Sequence, residues 1–220
     1  MRIHQKVMAA LSFCLVAITA GASPTNPENG KEYRTLPQAQ PTESGKKIEV
    51  TEFFWYSCPH CNAFEPDLEA WVKKQGDKIN FKRVPVIFRP EMIPEQRFYY
   101  ALEAMGKSEE LQAKIFHAIH VEHQRLDNPT AIADFVAKQG IDKQKFVNLY
   151  NSFGVETKVK RAAQLQEAYK IDGVPTVAID GRYLTSPGIV GTAMGNQPEA
   201  VLHAAALQVM DALVEKAKKK

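Results

Sequence analysis

The run IEVTEFFWYSCPHC, Ile48 to Cys61, passes from a β-branched and aromatic stretch directly into a cysteine pair. Ile48 to Tyr56 has the composition and length of a buried central strand, and Pro59 suits the first turn of a helix. Strand, cysteine, helix is therefore the predicted order. The helix continues through Phe64, Leu68 and Trp71 at spacings of four and three, and Gly76 closes it before a second strand, Ile79 to Phe88. Two strands joined through a helix form a β-α-β unit with a parallel crossover.

Outward from this unit the texture changes. Residues 23–45 are rich in Pro, Gly, Asn and Ser, and only Glu32 to Leu36 suits an edge strand. Between Pro90 and Lys170 no strand is evident. Phe98, Leu102 and Met105, then Leu111, Ile115 and Ile119, then Ile132, Phe135 and Val136 repeat at helical spacing, which predicts four to six helices. Gly106, Asn128-Pro129 and Gly140 punctuate them, with a cap region at Asp127 to Thr130. Pro175 to Ile179, Asp180-Gly181 and Arg182 to Leu184 read as a hairpin. A last helix opens at Asn196 to Pro198 with Val201, Ala205, Val209 and Leu213 on its buried side.

Composition limits what the chain can be. With 220 residues, 45% hydrophobic and 24% charged, it can bury a core. Arg2, His4 and Lys6, an apolar stretch from Val7 to Ile18 and Ala20-Gly21-Ala22 have the layout of a secretory signal peptide, assigned to residues 1–22. Bulky Phe13 before Cys14 argues against lipid attachment. Without Arg2 and Lys6 the 28 basic side chains nearly match the 25 acidic ones, so no nucleic-acid partner is expected. The apolar run is too short to span a bilayer, and removal of the leader leaves Cys58 and Cys61 as the only cysteines.

That pair carries the chemistry. Thiols three positions apart at a helix start can close a small disulfide loop, and the first sulfur faces unpaired N–H groups and the positive helix end. Cys58 is thus the candidate nucleophile, with His60 adding a positive charge when protonated. Cys61, a turn deeper, is expected to be less exposed and higher in pKa, suited to resolving a mixed disulfide. Half of a zinc site or an inert bridge are the other readings of such a pair. Zinc would need two more ligands at matching spacing, and so short a loop would restrain the unfolded chain little, so no metal is expected. His117, His120 and His123 fan over about a third of a helix and read as a solvated face.

Glu52 is the second anomaly, a carboxylate inside an apolar strand, six residues before Cys58 and on its face if the strand ran that far. It is either buried, with a raised pKa and able to exchange protons with Cys61, or a strand-end acid reaching solvent.

The EFFWYSCPHC strand end, the helical stretch and the later Gly173-Val174-Pro175-Thr176 together resemble the thioredoxin superfamily, and within it the DsbA family of thiol oxidases. The likeness begins at GKEYRTL, Gly30 to Leu36, and spans nearly the whole chain after the leader. It implies a thioredoxin fold, mixed sheet flanked by helices, at residues 23–89 and 171–220, with an inserted all-helical subdomain at 90–170. It further implies a nucleophile at Cys58, a resolving thiol at Cys61, tuning by Pro59, His60 and buried Glu52, and a cis bond before Pro175. The backbone of Val174 and Pro175 would hold an extended substrate by strand addition. The implied activity is a periplasmic, monomeric oxidase. It passes its Cys58–Cys61 disulfide to unfolded secreted proteins and is reoxidised by a DsbB-type, quinone-linked membrane partner. No flavin, haem or quinone motif is present, so the chain holds no cofactor and the acceptor lies elsewhere. A disulfide isomerase, which adds a dimerisation domain before the catalytic one, and a metal-delivery module are the rival readings.

Overall fold

The computed structural model describes residues 23–219; the expected signal peptide lies outside them. Five strands form one sheet: β1 (Arg34–Thr35), β2 (Ile48–Phe54), β3 (Ile79–Pro85), β4 (Thr176–Ile179) and β5 (Tyr183–Thr185). Their order is β1-β5-β4-β2-β3. β2 pairs parallel with β3 and antiparallel with β4, so the strand that leads to the cysteines is central.

Helix α1 (Pro59–Gln75) makes the parallel crossover. Pro59 opens it, where a missing N–H leaves no bond unmade, and Gly76 at φ 53° closes it by donating its N–H to the Val72 carbonyl. β3 stops at Pro85 rather than running on to Phe88. Its partner has ended, since Phe54 is paired with Pro85 and only Val86 N–H still reaches the Phe54 carbonyl.

Between β3 and β4 lie α2 (Ile93–Ala104), α3 (Ser108–His120), α4 (Pro129–Lys138), α5 (Lys143–Tyr150) and α6 (Phe153–Ala168). The Asn128 side chain caps α4 by accepting from Ala131 N–H at 3.0 Å. After β5 comes α7 (Pro187–Met194), which the sequence reading passes over, and then α8 (Glu199–Lys218). Gly188 and Gly191 weaken the helical signal of α7. Ser186, accepting from Ile189 N–H at 2.9 Å, and Pro187 at its first turn start it nonetheless. Val201 does not join the buried side of α8; it is 41% exposed, and the buried stripe begins at His203 and Ala205.

The sheet is covered on both faces, which is why β2 reads as nearly continuous apolar sequence. Val50, Val177 and Ile179 pack with Phe64, Leu68 and Trp71 of α1 and Val209, Met210 and Leu213 of α8. Asp211 ties those two helices by accepting from Trp71 Nε1 at 2.8 Å and Gln75 Nε2 at 2.6 Å. Phe53, Ala178 and Leu184 belong to the core that continues into α2 to α6. At its end near the cysteines, Phe54, Tyr56, Tyr99 and Phe116 meet edge to face, with ring centroids 5.0 to 6.3 Å apart.

The β4–β5 hairpin turns through Asp180 and Gly181 at φ 55° and 63°, as the two-residue turn requires. A Cβ on Gly181 would also lie 2.2 Å from the Gln40 carbonyl oxygen, so this glycine is fixed by contact as well as by backbone.

Candidate active site

Cys58 is the N-cap of α1, and its position follows from the strand-to-helix turn: its N–H is held by the Trp55 carbonyl at 3.1 Å. Cys61 N–H donates to Cys58 Sγ at 3.4 Å. On the other side Cys58 Sγ donates to the Val174 carbonyl at 3.6 Å, next to a cis Val174–Pro175 bond. The sulfur therefore sits between a helix N-terminus and the loop leading into β4.

The two thiols, free in this structure, have opposite electrostatics. A hydrogen bond from the Cys61 thiol does most to lower Cys58, from an ordinary 9.0 to about 6, against burial. The N–H groups of Cys61 and His60 follow, and the His60 charge acts least. Cys61 is fully buried and pushed well above 9.0, first by burial and then by its neighbour Cys58. The sequence predicts a contribution from the His60 imidazole beside that of the helix N–H groups, and the imidazole's share is the smaller. The His60 side chain is 74% exposed and its Nδ1 faces Glu199 Oε1 at 3.1 Å, so solvent and a carboxylate weaken its field.

His60→Pro removes an N–H and a charge together, whereas His60→Gln removes only the charge. Ultraviolet thiolate titration is expected to show a clear rise of the Cys58 pKa in the proline variant and a smaller one with glutamine. Equal rises would give the leading role to the imidazole.

Glu52 is buried, on the α1 face of β2 with Val50. Its nearness to the cysteines does not come from an even count along the strand, because β2 ends at Phe54 and the chain turns through Trp55 to Ser57. It comes from α1 folding back over that face; Glu52 raises the Cys61 pKa and is itself raised by Cys58. Burial pushes Glu52 up to about 7 although Arg83 pulls the other way, its Nε donating to Glu52 Oε2 at 3.0 Å.

Arg83 holds two more acids, Glu65 Oε1 at 2.6 Å through Nη2 and Glu109 at 2.7 and 2.8 Å through Nη1. Burial opposes its charge, but the three carboxylates hold the guanidinium above its ordinary range. Glu65 is also pushed up, by burial and then by Glu52. Among the described residues Glu52 Oε1 takes no hydrogen bond, leaving an oxygen on which a proton can sit.

Along the Val174–Pro175 loop a groove of about 560 Å³ runs past His60, Ile189 and Leu202. It is bounded by the loop before β4, α7 and the start of α8, so the helix the sequence reading missed supplies one wall.

A thiol destabilised toward thiolate, a buried partner three residues on and a buried acid behind them make a dithiol redox site. A protein from Burkholderia cepacia, "Thiol:disulfide interchange protein DsbA", is 46% identical over 211 residues, covering 96% of this chain and 95% of that one. This chain belongs to the DsbA family. The profile of the DSBA-like thioredoxin domain matches residues 91–207, and the DsbA of Pseudomonas aeruginosa strain PAO1 is 39% identical over 85% of this chain and 84% of its own. The crystal structure of Pseudomonas aeruginosa DsbA superposes with a TM-score of 0.78 at 38% identity, covering 87% of this chain and 96% of that one. Oxidoreductase DsbA from Xylella fastidiosa gives 0.77 at 29%, covering 88% and 99%. The fold is thus the thioredoxin-like fold of DsbA with its helical insert, and the chain is an oxidoreductase of protein disulfides.

Within this DsbA-family site the structure brings Cys58, Pro59, His60, Cys61, Val174 and Pro175 together, with Cys61 buried beneath Cys58 and Glu52 in the interior behind them. Arg83, Glu65 and Glu199 were not anticipated from sequence. Signals for two of them existed: Arg83 lies near the apolar end of β3 and directly opposite Glu52, and Glu65 lies one turn after Cys61.

Proposed function

We propose that this chain is a periplasmic thiol:disulfide oxidase that passes a Cys58–Cys61 disulfide to unfolded secreted proteins bearing free cysteines. The observation carrying this reading is the asymmetry of the pair: Cys58 lowered to about 6 at a helix N-cap, and Cys61 buried and raised. A substrate thiolate attacks the Cys58 sulfur, the disulfide breaks, and Cys61 leaves with the electron pair. Its high pKa demands a proton, which Glu52, raised to about 7, would provide. The substrate's second thiolate then attacks its own sulfur in the mixed disulfide and expels Cys58 as a stable thiolate. Two electrons have moved from substrate to enzyme. The better Cys58 is as a leaving group, the more oxidising the disulfide.

Val174 supports substrate binding in this reading: its backbone lies beside the sulfur, and pairing there would recognise extended chain rather than particular side chains. Residues 90–170 would form the inserted subdomain that backs the site, with 23–89 and 171–220 as the thioredoxin-like part. Return to the disulfide would fall to a DsbB-type membrane partner, the chain acting as a monomer. Among the described residues no helix is long and apolar enough to cross a membrane.

The test is the reduction potential of the Cys58/Cys61 couple, read by fluorescence after equilibration with glutathione. A value well above thioredoxin's, about −270 mV, is expected, and one at or below it would make the chain a reductase. The pH profile adds a sign. Below pH about 6 reduction takes up two protons and above it one, so the fall of the potential with pH is expected to halve in slope near Cys58's titration.

A further inference from the structure

The turn from β2 to α1 is gripped from the helical side of the molecule. Arg89 stacks over the Trp55 ring at 5.7 Å. The Tyr56 hydroxyl donates to Gln112 Oε1 at 3.0 Å, and the Tyr56 carbonyl accepts from His120 Nε2 at 2.8 Å. Ser57, immediately before the reacting sulfur, donates its N–H to Glu95 Oε2 at 3.0 Å and its hydroxyl to Glu95 Oε1 at 2.7 Å.

Glu95 is the anomalous member of this grip. It is 3% exposed, and no ion pair among the described residues involves it, so the desolvation of its carboxylate is not offset by a cation. It stands in the first turn of α2, where the helix dipole favours an acid. That alone would not send both oxygens across to another element, yet each accepts from Ser57. Burial raises it to about 7 against the pull of those bonds.

We propose that Glu95 is a positioning residue for Cys58. By fixing Ser57 at both its N–H and its hydroxyl, it keeps the Cys58 N–H on the Trp55 carbonyl. The sulfur then stays within reach of Cys61 N–H and the Val174 carbonyl. The inference rests on the reading of Cys58 as the reacting sulfur.

Glu95→Ala and Glu95→Gln test it, with ultraviolet titration of the Cys58 thiolate, oxidation of a dithiol peptide, and thermal melting of the reduced protein. If Glu95 positions Cys58, the alanine variant raises the Cys58 pKa by about half a unit to one unit. That is a three- to tenfold loss of thiolate stabilisation. Peptide oxidation slows with it, and glutamine, which keeps an acceptor for Ser57 N–H, gives a smaller rise. If Glu95 acts only through its charge, both variants lower the Cys58 pKa; if it serves only the fold, both melt earlier at an unchanged pKa. Either result overturns the proposal. Should Glu95→Ala not fold, Ser57→Ala removes the hydroxyl bond alone, and an unchanged Cys58 titration there is equally decisive against it. Failure of the underlying reading looks different: a wild-type Cys58 with no thiolate near pH 6, or a Cys58→Ser variant that still oxidises the peptide.

Discussion

Cys58→Ser is expected to abolish oxidation of a dithiol peptide outright, because Cys61 alone cannot form the Cys58–Cys61 disulfide that accepts the two electrons, and it is buried besides. Alkylation of the reduced wild-type enzyme at pH 7 shows the same asymmetry without a mutation. Against Cys58 at about 6, a thiol held well above 9.0 is far less ionised at that pH. A more basic thiolate is intrinsically more nucleophilic, which returns part of that difference, while burial withholds access. Peptide mapping after a single equivalent of reagent is expected to find Cys58 modified over Cys61 by at least about tenfold. Cys61→Ala goes further, since the Cys61 thiol contributes most to lowering Cys58. In that variant the Cys58 pKa is expected to climb back toward 9.0, and a titration that stays at 6 would assign the effect to the backbone N–H groups instead.

Arg83→Met carries the largest expected loss of stability. The side chain is buried with Glu52 and Glu65, and its removal leaves two interior carboxylates without a cation. Breaking such a buried set by deleting one partner destabilises by about 3–5 kcal/mol. The pH dependence has a definite sign. Glu52 and Glu65 are raised above 4.5 in the folded protein, so the folded state binds their protons more tightly than the unfolded one. Stability from these groups is therefore lost as pH rises from about 4.5 through 7 to 8, and losing Arg83 extends that loss. Urea unfolding at pH 5 and pH 8 is expected to show the variant's deficit growing with pH. A deficit equal at both would mean that the guanidinium matters for packing, as against Phe81, whose ring lies 4.8 Å from it.

Much of this site was legible in the sequence because its signals are local. Pro59 after Cys58 marks a helix start, Gly76 an end, and Asp180-Gly181 a turn, and each acts within a few residues of itself. Glu52 was visible as an anomaly, but whether it faced solvent could not be read from β2. That depends on β3 and α1 closing over it, with Arg83 opposite and Glu65 above. Helix α7 was lost for a local reason, its glycines, and with it one wall of the groove. The Glu95–Ser57 contact joins positions far apart in sequence, and neither residue is unusual where it stands. The exposure of Val201 likewise reflects where α8 meets its neighbours rather than its own periodicity.

The pairing of Glu52 with Arg83 also bears on how the sheet assembles. A strand apolar on both sides has little to tell it from a copy of itself slipped by one position, since core residues would still meet core residues. β2 and β3 carry other polar residues, Glu49, Asn80 and Lys82 among them, but Glu52 and Arg83 are the charged pair that lies directly opposite in the parallel ladder with both side chains buried. Slipping by one residue would set Glu52 against Lys82 or Val84 and turn Arg83 to the other face, separating the two charges. The ion pair thus favours the strand register that sets Cys58 and Cys61 at the end of β2.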